Sequence, residues 1–459
     1  MLARLLSPKD FGTVGMVTAF TGILFILRDF GLSSATVQRL TVTEEQTSVL
    51  FWINLAIGAA LGLILLGAAP AVAAFYREPD LFWVTSVLAV VFLFNAAGVQ
   101  HSALLQRQMR FTTLALISVV ASTAGAGTAI GMAKAGCGYW ALVAMSVIAP
   151  LIATIGFWLT SGWIPGRPRN VTQISSLMQF GGSLTLTSIL VYIGYNAEKV
   201  LIGRVWGADA IGIYGRAYQI VSIPTENLNS AVGQVAFSAL SRLQNDPGRF
   251  RNYFLKGFSL VLGLTLPLTI TCALFADDLV FVILGPNWSE VVVLVRLLAP
   301  TIAIFAIINP LGWLVFSIGL VRRGLKAAPA LACLMITGYV IGLPYGPRGV
   351  AFAYSAVLSI WVLPHIYWCI HGTMVSFGDV LSIVARTLGC GILAGALAFA
   401  FRFWWWQSIS PLPRLFLESS VLVIVFFTAL LFCAGQKTLY FDLVKTLKGN
   451  QSSASVTAS

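Results

Sequence analysis

Charge is what this sequence has least of. Of its 459 residues only 10% are Asp, Glu, Lys or Arg, while 58% are hydrophobic; a soluble domain carries roughly 25% charged residues. A soluble fold of this length is excluded. Paired cysteines are also lacking. Cys137, Cys272, Cys333, Cys369, Cys390 and Cys433 lie in mostly apolar stretches with no CxxC spacing, so they read as small core residues rather than disulfides or metal ligands. His101, His365 and His371 are isolated from one another, which argues against a metal site and leaves no cofactor implied. No phosphate-binding glycine loop occurs, so an intrinsic ATPase is excluded and any energy must come from a gradient or a partner. Nor is there a short apolar segment before a small-residue cleavage site: residues 10–30 are a full-length hydrophobic stretch ending in Arg28 and Asp29. Those two read as solvated or structural groups at a helix end.

What is there is apolar sequence in span-length blocks. The mean hydropathy is +0.88, spread over nearly the whole chain, and a helix needs about 20 apolar residues to cross a bilayer. Such blocks fall near 10–30, 48–75, 81–103, 112–133, 139–160, 176–198, 209–237, 253–276, 290–318, 325–343, 348–369, 379–401 and 413–434. The expected fold class is therefore all-α integral membrane, with about 13 transmembrane helices. The net charge of +12 does not point to nucleic acid, because the 28 basic residues are scattered in ones and twos between spans. The basic connections, with Arg107, Arg110, Arg242, Arg249, Arg251, Arg323 and Lys437 among them, fall on one side, which is the cytoplasmic side. The opposite connections hold Arg77, Arg204, Arg348, Arg402 and Arg414, with Trp288 and the run Trp404-Trp405-Trp406 as interfacial anchors.

That sidedness places Met1 outside, and an internal repeat explains it. At an offset of 200 residues, Arg4 to Gly15 lies against Arg204 to Gly215, sharing the arginine, two apolar residues, a small residue and the glycines Gly12/Gly212 and Gly15/Gly215. In the second copy this motif follows a complete span, 176–198. A matching helix of about 25 residues is therefore expected before Arg4, giving 14 spans in a full chain. Repeats running in one direction imply two pseudo-symmetric helical lobes about an axis along the membrane normal, with a substrate path in a central cleft. The expected divisions are an N-terminal lobe at 1–162, a C-terminal lobe at 173–372, and two extra helices with a cytoplasmic tail at 373–459, of which Gln451 to Ser459 is Ser-rich.

Polar groups inside spans are costly and usually face a wet cavity or a bundle interior. At 100° per residue, Thr185, Ser188, Tyr192, Tyr195, Asn196 and Lys199 share one face of 176–198, with Glu198 off that stripe. Arg216, Gln219, Glu226, Asn227, Ser230 and Gln234 share one side of the next span, where Pro224 is placed to kink it. These stripes either line a cavity or join helices by hydrogen bonds. Arg216 and Glu226 could pair locally or touch substrate. Arg296 could snorkel outward or aim its guanidinium at an anion. The glycine pairs Gly58/Gly62, Gly127/Gly131 and Gly391/Gly395 have the spacing of close helix packing.

The segments Ala3 to Gly12, Arg28-Asp29-Phe30-Gly31-Leu32-Ser33 with Gln38-Arg39, Leu201 to Arg204 with Gly212-Ile213-Tyr214, Phe237 to Pro247, and Leu284-Gly285-Pro286-Asn287-Trp288 together resemble the polysaccharide transporter family of bacterial Wzx-type flippases, within the superfamily that also holds multidrug and lipid II exporters. The resemblance implies two six-helix lobes plus two further helices, alternating access, and an undecaprenyl-diphosphate-linked oligosaccharide as cargo in the bacterial inner membrane. It implies membrane lipids, a polysaccharide polymerase and glycosyltransferases as surroundings. Glu198 stands where many members place Asp. A diphosphate crossing lipid needs cations in a wet cleft, so Lys199, Arg216 and Arg296 are the expected anion contacts, with Glu226, Asn196, Tyr192, Gln219 and Asn227 as further cleft candidates. Two rivals are a multidrug or peptidoglycan-precursor exporter of the same superfamily and a membrane polysaccharide polymerase or ligase. The enzyme would be expected to carry a large external loop, and the outer connections are all short.

Overall fold

A computed structural model describes residues 1–28, 43–167, 174–405, 410–432 and 437. Asp29, Gln38, Arg39, Trp406, Cys433 and the Ser-rich end lie outside the described residues. The described chain is helical throughout: α1 Pro8–Leu27, α2 Glu44–Tyr76, α3 Asp80–Arg107, α4 Phe111–Lys134, α5 Trp140–Ser161, α6 Ile174–Arg242, α7 Pro247–Leu274, α8 Ala276–Ile283, α9 Ser289–Leu298, α10 Pro300–Ser317, α11 Val321–Gly342, α12 Gly346–Ile370, α13 Phe377–Trp405 and α14 Pro411–Phe432. Ten candidate segments among the described residues are long and apolar enough to cross a membrane; one of them, Lys326–Ile370, contains two successive helices. This is an all-α, multi-pass membrane protein.

Local chemistry sets the helix ends. Ser7 caps α1: its hydroxyl accepts from the Asp10 amide at 3.3 Å while its own amide donates to Asp10 Oδ2 at 2.8 Å, with Pro8 at the first helical position. This reciprocal arrangement satisfies two otherwise orphaned donors. Thr43 and Gln46 repeat it at α2. Helix α6 is two limbs joined at Gly207, whose φ of 83° and ψ of −172° interrupt the helix; a side chain there would be strained.

Two compact units are formed, one of residues 1–215 with 328–350 and the other of 216–327 with 351–459. In the first, α1, α2 and α3 pack through Leu61, Leu65, Ala89 and Phe92 with Leu24 and Leu27 against them. Gly58 and Gly62 allow this approach: a Cβ on Gly58 would lie 2.3 Å from that of Ala96, and one on Gly62 would lie 3.0 Å from the Ala89 carbonyl oxygen. The repeat motif is a crossing point. A Cβ on Gly12 would sit 1.7 Å from the Ala208 carbonyl oxygen, and one on Gly212 would sit 1.9 Å from the Pro8 carbonyl oxygen. Positions 8 and 12 thus meet 208 and 212 reciprocally, each glycine against the other copy's first helical residue. Approach this close brings backbone Cα–H groups onto carbonyls, which only glycine permits.

In the second unit, Phe250, Phe254, Phe258, Leu311, Leu314, Ile366 and Val380 join α7, α10, α12 and α13. Gly391 and Gly395 let α13 lie on α7, a Cβ on Gly391 meeting the Leu266 side chain at 2.6 Å. A bidentate pair, Arg251 to Asp379 at 2.8 and 2.6 Å, ties the same two helices near their other ends.

Several expectations are corrected. The span expected at 290–318 is broken between α9 and α10, where Pro300 begins a new helix. The short α8, an eight-residue helix, was not anticipated. Trp288 is not an interfacial anchor but is 1% exposed, turned into the core after Gly285, whose φ is 104°. Gly127 and Gly131 meet nothing within 4 Å, so close packing does not account for them; the small residues of α4 that do pack, Ala121, Gly125 and Ala129, lie on another face. Cys272, Cys369 and Cys390 are buried, but Cys137 and Cys333 are exposed and are not core residues.

Candidate functional site

The expected polar residues fall into two groups, one in each unit. On the first limb of α6, Tyr192 donates its hydroxyl to the Ala19 carbonyl of α1 at 3.2 Å. One turn on, Asn196 donates to the Tyr192 carbonyl at 3.0 Å, and its side-chain oxygen accepts from Lys199 Nζ at 2.7 Å. The 3.6-residue repeat therefore assembles a Tyr192, Asn196, Lys199 ladder on a half-buried face, with the ammonium at its end. Glu198 lies off this ladder and is fully buried. Gly194 opens the way for α11, whose Tyr339 hydroxyl donates to the Gly194 carbonyl at 3.3 Å.

In the second unit, Arg216 donates to Gln219 Oε1 at 2.5 Å. Arg216 thus has a local partner one turn along its own helix. Glu226 and Asn227 are exposed, beside the Pro224 position, with Thr225 buried between them and that proline. The side chains of Thr185, Ser188, Ser230 and Gln234 lie outside those described. Arg296 does aim at an anion, but the anion is the protein's own Asp277.

That contact opens onto a charge network that the sequence reading passed over. Asp277 and Asp278 open α8, Arg296 is on α9, Arg402 is near the end of α13, and Arg414 and Glu418 are on α14. Arg414 grips Asp278 with two nitrogens, Nε at 2.9 Å and Nη2 closer. Arg402 is the hub: its guanidinium lies 3.7 Å from Asp277, 3.6 Å from Asp278 and 3.6 Å from Glu418, and donates to the Leu274 carbonyl at 3.2 Å. Burial grades inward, from about half exposure at Arg296 and Asp277 to 2% at Asp278 and none at Glu418. One sequence signal was available, since Glu418 is a lone acid inside the span expected at 413–434, and ionisable residues within spans are rarely idle.

The first unit also holds an uncharged cavity of about 510 Å³ among α1, α3, α4 and α5, lined in part by Thr18, Thr21, Asn95, Ser122 and Ser146. Thr18, Thr21, Asn95 and Ser146 donate to carbonyls of their own helices, so the hydroxyls retain acceptor capacity while Asn95 keeps its oxygen and a second N–H. Nothing in a single helix marked this site; two of its polar residues come from α1 and one each from α3, α4 and α5.

Residues 1–293 match the model of a family described as polysaccharide biosynthesis protein. The chain belongs to that family. The teichuronic acid biosynthesis protein TuaB of Bacillus subtilis (strain 168) is 30% identical over 292 residues, 62% of this chain and 60% of that protein, so the match spans under two thirds of that relative's length. The lipopolysaccharide biosynthesis protein WzxC of Escherichia coli (strain K12) is 24% identical over 348 residues, 74% of this chain and 70% of that protein. Among solved structures, the lipid II flippase MurJ in its inward closed conformation superposes with a TM-score of 0.76 at 13% identity, covering 96% of each chain. At that identity the likeness is one of fold.

Proposed function

We propose that the protein is a flippase that carries undecaprenyl-diphosphate-linked oligosaccharide repeat units across the bacterial inner membrane, for exopolysaccharide or lipopolysaccharide assembly, by alternating access. The observation that carries this reading is the conjunction of a polysaccharide biosynthesis family match over residues 1–293 with a flippase fold along 96% of the chain. In this reading the lobes are 1–162 and 173–372, followed by the helical pair and tail of 373–459. Lys199, Arg216 and Arg296 supply cationic contacts to the diphosphate, with Glu226, Asn196, Tyr192, Gln219 and Asn227 as polar neighbours. The Asn196 to Lys199 and Arg216 to Gln219 bonds fit this role, because each orients the head of a cationic side chain through a hydrogen bond. Arg296 would have to exchange Asp277 for the cargo, and charge-assisted hydrogen bonds of about 1.5–3 kcal/mol each are strong enough to hold a diphosphate yet release it. The polyprenyl chain stays in lipid, so only the polar head needs a wet path.

The test is export in a strain whose own oligosaccharide flippase is deleted. The full-length protein, supplied with the matching glycosyltransferases and polymerase, should restore surface polymer. Arg216→Ala with Arg296→Ala should lower export while membrane abundance stays near normal, and Arg296→Lys should recover part of it, since an ammonium keeps the charge but loses the planar fork. Unchanged export in the double variant would remove these residues from the site. The superposition on a lipid II flippase favours a second reading, a peptidoglycan-precursor exporter. Rescue of a lipid II flippase deletion in place of the oligosaccharide flippase deletion would establish it.

A further inference from the structure

The charge network at α8, α9, α13 and α14 contains one member that its partners do not satisfy. Arg414 and Asp278 hold each other through paired hydrogen bonds, and Arg296 holds Asp277. Glu418 is fully buried, yet among the described residues neither of its oxygens accepts a hydrogen bond, and Arg402 Nε stands off at 3.6 Å. An ionised carboxylate without a hydrogen bond in so dry a place is costly, whereas its protonated form is not. The count of charges leads the same way. Three arginines face Asp277, Asp278 and Glu418, so the network is neutral when Glu418 is ionised and carries one positive charge when Glu418 holds a proton. By sequence, the other ionisable groups on these ends of the packed helices are Glu290, exposed at the start of α9, and the buried thiol of Cys272 in the last turn of α7. Asp379 and Arg386 of α13 lie at least 16 residues before Arg402, roughly 24 Å along the helix. Arg249, Arg251 and Lys256 of α7 are similarly at its far end, and α10 carries no charged residue.

We propose that Glu418 is a proton-binding site, and that its proton switches the grip between the outer ends of α13 and α14. When ionised, Glu418 is the one anionic group that α14 offers to Arg402 of α13, and the two helices are drawn together. A proton taken from the aqueous side converts the carboxylate to the neutral acid, with no other bond made or broken. Arg402 then has only Asp277 and Asp278, which Arg296 and Arg414 already hold, and the first turns of α14 loosen. Acid therefore weakens this joint and base tightens it. The site is independent of the cargo reading, because it is defined by residues 277–418 and by a proton.

The test uses the full-length chain in lipid nanodiscs. Infrared difference spectra recorded across pH about 4 to 9, the range over which buried carboxylates titrate, should show a protonated carboxylic acid carbonyl band that Glu418→Gln removes. Over the same step, hydrogen exchange of the amides of 411–418, corrected for intrinsic rate, should rise several-fold on acidification in the wild type. It should stay at the high level at every pH in Glu418→Gln. Glu418→Asp, which keeps the acid, should retain both signals at a displaced midpoint, and it carries the test if the Gln variant does not accumulate. The proposal is overturned if the band survives in Glu418→Gln, if exchange at 411–418 ignores pH in the wild type, or if Glu418→Asp titrates at the wild-type midpoint.

Discussion

The crossing of α1 with the second limb of α6 and the charge network around Arg402 hold helices together by opposite means. At the crossing the close contact uses almost no side chain: Gly12 and Gly212 bring backbone onto backbone. In the network six charged side chains span four helices, and the buried end, at Asp278 and Glu418, is closed to solvent. The first is short-ranged and steric, so one methyl group breaks it. The second is electrostatic in a low-dielectric setting, where a broken pair leaves an uncompensated charge. With Glu418 as the proton site proposed above, the two joints respond to different signals, one to shape alone and the other to proton activity.

The larger effect is expected in the network. Arg414→Ala removes both hydrogen bonds to Asp278, which is 2% exposed, leaving it only Arg402 at 3.6 Å, and should lower unfolding stability in detergent or lipid by about 3 kcal/mol. Adding Asp278→Asn should recover a large part of that loss, because the cost lies in the buried carboxylate that has lost its hydrogen bonds. If the double variant is no better than the single, the pair is not coupled and the contrast with the crossing collapses.

The crossing should give a smaller but sharper result. Gly12→Ala and Gly212→Ala each place a Cβ within 2 Å of a carbonyl oxygen, and overpacking of this kind costs about 1–3 kcal/mol. Gly15→Ala and Gly215→Ala are internal controls from the same repeat, since a Cβ at Gly15 meets only Ile211 at 3.9 Å and one at Gly215 meets nothing within 4 Å. Removing glycine from a helix interior gains up to about 1 kcal/mol, so the controls should be neutral or stabilising. Thermal unfolding of the four variants checks it; equal losses at all four would mean that the close approach is not what the glycines serve.

The two regions were also unequally legible in the sequence. A backbone contact repeated at 200-residue spacing leaves glycines at matched positions, so Gly12 and Gly212 announced the repeat before any fold was known. The spans were legible for a similar reason, since lipid demands about 20 apolar residues wherever a helix crosses. The break at Pro300 escaped because apolar sequence runs through it without interruption. The network left no local trace, as Arg414 and Asp278 are 136 positions apart and each looks like an ordinary connection residue. The Tyr192, Asn196, Lys199 ladder was readable because its members share one helix, whereas the partner of Arg296 on another helix was not.

A reconstituted assay reads the proposed movement of a lipid-linked oligosaccharide directly. Liposomes carrying undecaprenyl-diphosphate oligosaccharide in both leaflets, with and without the full-length protein, are exposed to an impermeant glycosidase. Without protein only the outer-leaflet sugar should be cleaved, and with protein nearly all of it should be cleaved, while an Arg216→Ala, Arg296→Ala variant should slow the approach to completion. Cleavage that stops at the outer-leaflet fraction in liposomes shown to contain folded protein would contradict the assignment as an oligosaccharide flippase.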